Sequence, residues 1–225
     1  MCGIYCSNDI STFEVLDEVN QKRGNFATGA LIIDSNKKTF NTIQREGKID
    51  WNEVKLPIGK NITYLGHNQA PTSSTRKWRA STSHPFQYGD WIVAHNGVLT
   101  NFKDLKEDYM PDHHNPVDSS VIPALLNELE YKKFGPCEND EDEVCNLLFV
   151  LERLKGTYAL WIYNSRSGNI YIARQGSTLF YKGTSVSSIK GRYYKEVAEG
   201  ILYKYSDKGL KPIEGFITES PFLTL

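Results

Sequence analysis

The chain has 225 residues, 40% hydrophobic and 24% charged, with 26 basic residues against 27 acidic ones and a formal net charge of -1. This composition excludes a disordered or collagen-like chain, and the charge balance lacks the basic excess of a nucleic-acid-binding domain. No apolar run approaches the roughly 18 residues of a membrane span and no secretory signal opens the chain, so the cytoplasm is the expected compartment.

Cys2 to Ser7 reads as a short apolar strand. Ser11 precedes Glu14 by three, a capping-box pattern, and Phe13, Leu16 and Val19 give an apolar face to a helix over 12–22. Thr28 to Asp34 and Thr39 to Arg45 are β-rich runs split by Ser35-Asn36-Lys37, which predicts a hairpin. Ile62 to His67 and Trp91 to His95 are apolar runs that end in polar residues, as buried strands delivering side chains at their ends would. Asn101 is placed to cap a helix reaching Tyr109, and Asp118 or Ser119 to start another reaching Lys133, with Pro123 tolerated in its first turn. The stretch 135–142 is polar and reads as a loop. A helix over 141–155 follows, with Val144, Leu147, Leu148 and Leu151 on one face. Strands return at Tyr158–Asn164, Asn169–Ala173, Leu179–Lys182 and Gly200–Tyr205. Grouped strands with helices clustered between them predict layered antiparallel sheets with helices outside, in one domain over 1–225.

Cys2, Cys6, Cys137 and Cys145 fit neither a disulfide framework nor a zinc-binding spacing, so reduced thiols are expected. Cys2 directly follows the initiator Met. A thiol attacks as thiolate, and at its ordinary pKa of about 8.5 little is ionised at neutral pH. Removal of Met1 would give Cys2 a free α-amine of pKa roughly 7.7–8.0 beside its own sulfur, a built-in general base and later acid. Taken alone, Cys2 reads rather as a small buried hydrophobe in an N-terminal strand.

Further segments give that residue a context. Met1-Cys2-Gly3-Ile4 resembles the start of the class II glutamine amidotransferases, the cysteine branch of the N-terminal-nucleophile hydrolases. Arg23-Gly24-Asn25-Phe26-Ala27-Thr28-Gly29 is similar to the family's R-G-x-D-S-x-G segment, and Gly66-His67-Asn68-Gln69-Ala70-Pro71-Thr72 to its G-H-x-R-x-x-T. His84-Pro85-Phe86, His95-Asn96-Gly97 and Asn101-Phe102 resemble the H-P, H-N-G and N-(F/Y) elements of the glucosamine-6-phosphate synthase glutaminase domain. Val117-Asp118-Ser119-Ser120 resembles the family's acidic site, and Leu154-Lys155-Gly156-Thr157-Tyr158-Ala159 its L-x-G-x-(Y/F)-A. Six motifs in family order span essentially the whole chain.

The resemblance implies an α+β fold, the four-layer αββα sandwich of two mainly antiparallel sheets. It implies hydrolysis of the glutamine side-chain amide through a Cys2 γ-glutamyl thioester, giving glutamate and ammonia without a cofactor or metal. Catalysis would rest on Cys2, with the Asn96 side-chain N–H and Gly97 backbone N–H facing the tetrahedral oxyanion. Asn-Gly is also a strong hairpin-turn signal. Around the substrate the family pattern would place Arg23, Gln69, Thr72, His84 and Asp118, the last on the ammonium; Asp118 reads alternatively as a helix cap and His84 as structural. Two positions depart from the family: its carboxylate-clamping Arg falls on Gln69, and the Asp after Arg-Gly is Phe26. Arg76 or Arg79 is placed to supply the missing cation, although the Arg76-Lys77-Trp78-Arg79 cluster also reads as a solvated loop, and His113-His114 as surface. The length leaves no room for a synthase, so a separate ammonia-accepting synthase is the expected partner. The alternatives are a hydrolase of γ-glutamyl conjugates and a catalytically silent binding module on the same fold.

Overall fold

A computed structural model of the chain describes residues 2–70, 77–130 and 139–218. In chain order the strands and helices are β1 (Gly3–Ser7), α1 (Ile10–Asn20), β2 (Ala27–Asp34), β3 (Thr39–Glu46), β4 (Ile62–Gln69), β5 (Phe86–Tyr88) and β6 (Trp91–Leu99). They continue with α2 (Phe102–Tyr109), α3 (Val121–Leu129), α4 (Asp140–Leu151), β7 (Gly156–Asn164), β8 (Ile170–Gln175), β9 (Phe180–Lys182), β10 (Ser185–Ser187), β11 (Lys195–Glu196), β12 (Ile201–Ser206) and β13 (Gly209–Gly215). Among the described residues the strands make two sheets, ordered β11-β9-β10-β1-β4-β2-β3 and β13-β12-β8-β7-β6-β5.

Period-2 alternation with both faces apolar stacks these sheets between helices. In β2, Leu31 and Ile33 enter the core between the sheets while Ala30 and Ile32 face α1. In β7, Ala159 and Trp161 enter that same middle core while Tyr158, Leu160 and Ile162 face α3 and α4. Three cores therefore separate four layers, the αββα sandwich. Trp161 is fully buried and its indole N–H donates across the middle core to the Gly66 carbonyl at 3.0 Å, tying the sheets together.

Several boundaries differ from the sequence expectations. Helix α1 is capped by Asp9, whose carboxylate accepts the Thr12 N–H at 2.8 Å, so the Ser11–Glu14 capping box does not form. Residues 140–142, expected in a loop, form the first turn of α4, where Asn139 accepts the N–H groups of Glu141 and Asp142 and four acidic side chains meet the positive end of the helix. Asn101 stands at the start of α2 without capping it; its amide binds the Arg153 carbonyl and the Lys155 N–H. Strand β6 does not stop at His95: it runs through Asn96-Gly97 to Leu99, paired residue for residue with β7, so no turn forms there.

Candidate active site

Cys2 immediately precedes β1, the strand held between β4, with Gly3 opposite Asn68, and β10, with Tyr5 opposite Ser187. Its part-buried thiol is pushed above its ordinary pKa, chiefly by burial; the Ala70 N–H and the Arg23 guanidinium work against that, and the nearby Asp118 carboxylate adds to it. Gly24 permits the close approach on this side, because a Cβ there would lie 2.3 Å from the Ala70 nitrogen. Arg23 donates from Nε to the Cys2 carbonyl at 2.7 Å and from Nη1 to Thr178 Oγ1 at 3.0 Å and the Ser188 carbonyl at 3.2 Å, pinning the start of β1.

The second sheet meets this strand through β6. Ile92 and Ala94 enter the middle core, and Asn96 continues their face. Its Nδ2 donates to Ser188 Oγ at 3.3 Å, and that oxygen also accepts the Ile4 N–H at 3.0 Å. Gly97 has φ +155°, and a Cβ at this position would sit 1.9 Å from the Thr157 carbonyl oxygen, so a side chain is excluded. Asp118 opens a 3₁₀ turn; its Oδ2 accepts the Leu99 N–H at 2.9 Å and its Oδ1 the Ser119 N–H at 2.8 Å. Gly97 and Asp118 line an open cleft of about 700 Å³ whose walls include Val98, Thr82, Lys77 and Arg79. The cleft thus carries an anion at Asp118 and cations at Lys77 and Arg79.

Two further sequence-predicted residues, Gln69 and His84, are buried. Gln69 is at the end of β4, next to the Ala70 whose N–H meets the Cys2 thiol, with its Nε2 3.5 Å from the Thr82 carbonyl. His84 is buried with its ring stacked 3.8 Å from that of His67. His67 Nε2 faces the His95 carbonyl at 3.1 Å and therefore carries the proton, and burial pushes its pKa down to about 3. His95 Nε2 faces the Thr157 carbonyl at 3.2 Å, leaving Nδ1 to accept from the Ser119 hydroxyl at 2.8 Å; burial lowers its pKa against an upward pull from Asp118. Both imidazoles are thus neutral and committed to internal bonds at neutral pH. Thr72 and Arg76 lie outside the described residues. Ser188 is the participant that the sequence did not single out, a serine between short strands with no spacing signal. Among the described residues no group of three His, Cys, Asp or Glu side chains is placed to hold a metal ion, and no helix is long and apolar enough to cross a membrane.

No family model matches the chain. It is 30% identical over 178 residues to the glutamine–fructose-6-phosphate aminotransferase of Methanococcus maripaludis, an alignment covering 73% of this chain and 28% of that protein. The aminotransferase of the same name from Francisella tularensis is 28% identical over 190 residues, or 80% of this chain and 29% of its own length. The chain thus spans under a third of the length of these relatives. Among solved structures, the glutamine phosphoribosylpyrophosphate amidotransferase of B. subtilis superposes with a TM-score of 0.73 at 19% identity, over 97% of this chain and 50% of that one, which establishes a common fold.

Proposed function

The chain belongs to the class II glutamine amidotransferases by sequence relatives and by fold, and from that premise we propose that it hydrolyses the glutamine side-chain amide, with Cys2 as nucleophile. One observation supports the reading: the Cys2 thiol, at the start of β1 in one sheet, lies within electrostatic reach of Asp118, which with Gly97 of the other sheet lines the cleft, while Asn96 beside Gly97 is tied through Ser188 to Ile4 of β1.

In this scheme Met1 is removed and the freed α-amine takes the thiol proton as Sγ attacks the amide carbon. Burial raises the Cys2 pKa, so little standing thiolate exists and proton removal is coupled to attack. With His67 and His95 neutral and internally bonded, the amine is the base at hand. The Asn96 Nδ2–H and the Gly97 N–H hold the oxyanion. Collapse returns the proton to the leaving nitrogen, releases ammonia and leaves a γ-glutamyl thioester; water, deprotonated by the same amine, cleaves it to glutamate. Asp118 binds the substrate ammonium, and Arg79 with Lys77 the α-carboxylate that neutral Gln69 does not clamp. Ammonia passes to an acceptor synthase domain or partner, and residues 1–225 act as one domain.

Glutamate release by the purified protein and by Cys2→Ala tests the proposal: loss of at least about 10³-fold is expected, and equal rates would refute it. Intact mass after 6-diazo-5-oxo-norleucine should show a chain lacking Met1 with one adduct on Cys2. The openness of the cleft and the neutral Gln69 favour hydrolysis of bulkier γ-glutamyl amides as a second reading, and a panel of such amides separates the two.

A further inference from the structure

A terminal carboxamide rotates broadly about its last torsion, so an Asn that must present N–H rather than C=O to an oxyanion needs something to fix its plane. Asn96 is 2% exposed, and Ser188 Oγ, 3.3 Å from Nδ2, is what it meets. That oxygen also accepts the Ile4 N–H at 3.0 Å, while the Ser188 N–H returns to the Ile4 carbonyl at 2.9 Å. The Ser188 carbonyl accepts from Thr178 Oγ1 at 3.0 Å and from Arg23 Nη1 at 3.2 Å, and Arg23 itself holds the Cys2 carbonyl. Ser188 is 1% exposed and bonded on three sides.

We infer that Ser188 is a positioning residue that aims the Asn96 carboxamide and fixes its distance from the nucleophile-bearing strand. One Asn96 N–H is anchored on the hydroxyl, and the second, directed away from it, is the one the proposed role assigns to the oxyanion. Without that anchor the amide is free to turn over and offer its carbonyl oxygen, which repels a developing oxyanion. Because Ser188 holds β1 of one sheet and Asn96 of the other, it links the position of the nucleophile to the position of the oxyanion donor.

The inference rests on the proposed role of Asn96, and its test has an arm that does not. With glutamine as substrate, Ser188→Ala should lower kcat about tenfold or more and change KM less than twofold, and in an Asn96→Ala background it should cause no further loss. Equal loss in both backgrounds would mean that Ser188 acts through Ile4 and β1 alone, and overturns the inference. Independently of activity, the Asn96 side-chain amide signals in ¹⁵N-resolved spectra of the free protein should shift and exchange faster in Ser188→Ala; unchanged signals overturn it. Should wild type release no glutamate, the functional reading fails while these signals still decide the positioning. If Ser188→Ala does not fold, Ser188→Cys, close in size but a weak acceptor, is measured the same way.

Discussion

Replacing His67 by glutamine should flatten the dependence of stability on pH between 7 and 5. The imidazole is 1% exposed, stacked on His84 and bonded to the His95 carbonyl, and burial pushes its pKa from 6.5 to about 3. The unfolded chain binds the proton as pH falls through about 6.5 whereas the folded chain excludes it until about 3, so stability is complete above the first value and lost progressively below it. At about 1.4 kcal/mol per unit past the unfolded pKa, the loss between pH 7 and pH 5 is about 2 kcal/mol. That is a substantial part of the roughly 5–15 kcal/mol that holds a domain folded, and corresponds to a urea midpoint lowered by roughly 1 M. Urea unfolding at both pH values, followed by circular dichroism for wild type and His67→Gln, isolates this residue, because His95 and the other titrating groups are common to both proteins. Losses equal to within about 0.5 kcal/mol in the two proteins would refute the reasoning.

Gly97→Ala should destabilise by at least about 3 kcal/mol, since the added methyl meets the Thr157 carbonyl at 1.9 Å within a continuous ladder, and should lower Tm by roughly 6–12 °C; an unchanged Tm contradicts it. Asp118→Asn keeps a side-chain oxygen for the Leu99 or Ser119 N–H but removes the charge, so KM for glutamine should rise about 10- to 100-fold, with kcat changed far less. Arg79→Met should raise KM by roughly tenfold with no loss of thermal stability, because the side chain is exposed at the cleft edge; an unaltered KM removes it from the site. The value of kcat/KM should fall about tenfold per unit as pH drops below an amine pKa of roughly 7.7–8.0, and a flat profile from pH 6 to 8 would exclude the α-amine as base.

What the sequence made legible was the interior. Runs such as Leu31–Ile33 and Trp91–Ala94, apolar on both faces, marked buried strands, and the grouping of such strands with helices between them marked the layering. Strands without that signature were missed: β10 is Ser-Val-Ser, β11 is two exposed charged residues, and β13 is an edge strand carrying Pro212. At Asn96-Gly97 local turn propensity pointed to the end of a strand, and a nine-residue pairing with β7 overrode it. Ser188 was invisible for a different reason. Its hydrogen bonds reach residues 184 and 92 positions away, and only the approach of two sheets gives a lone serine in a short connection any consequence.

The same distinction bears on Gln69. Sequence comparison marks the position as a missing cation; its surroundings explain why a neutral side chain suits it. At 2% exposure, beside a turn whose Thr82 carbonyl lies 3.5 Å from its Nε2, a neutral amide is held without the desolvation cost that a buried guanidinium carries. The amide joins the end of β4 to residues 80–82, the turn directly following Arg79. Residue 69 thereby supports the segment that brings positive charge to the cleft edge. An exposed cation on a loop binds an anion more weakly than a buried bidentate clamp and pays to order its own side chain. Under the proposed mechanism this arrangement weakens the hold on the free amino acid and leaves the Asn96–Ser188–Ile4 bridge to set the geometry of attack.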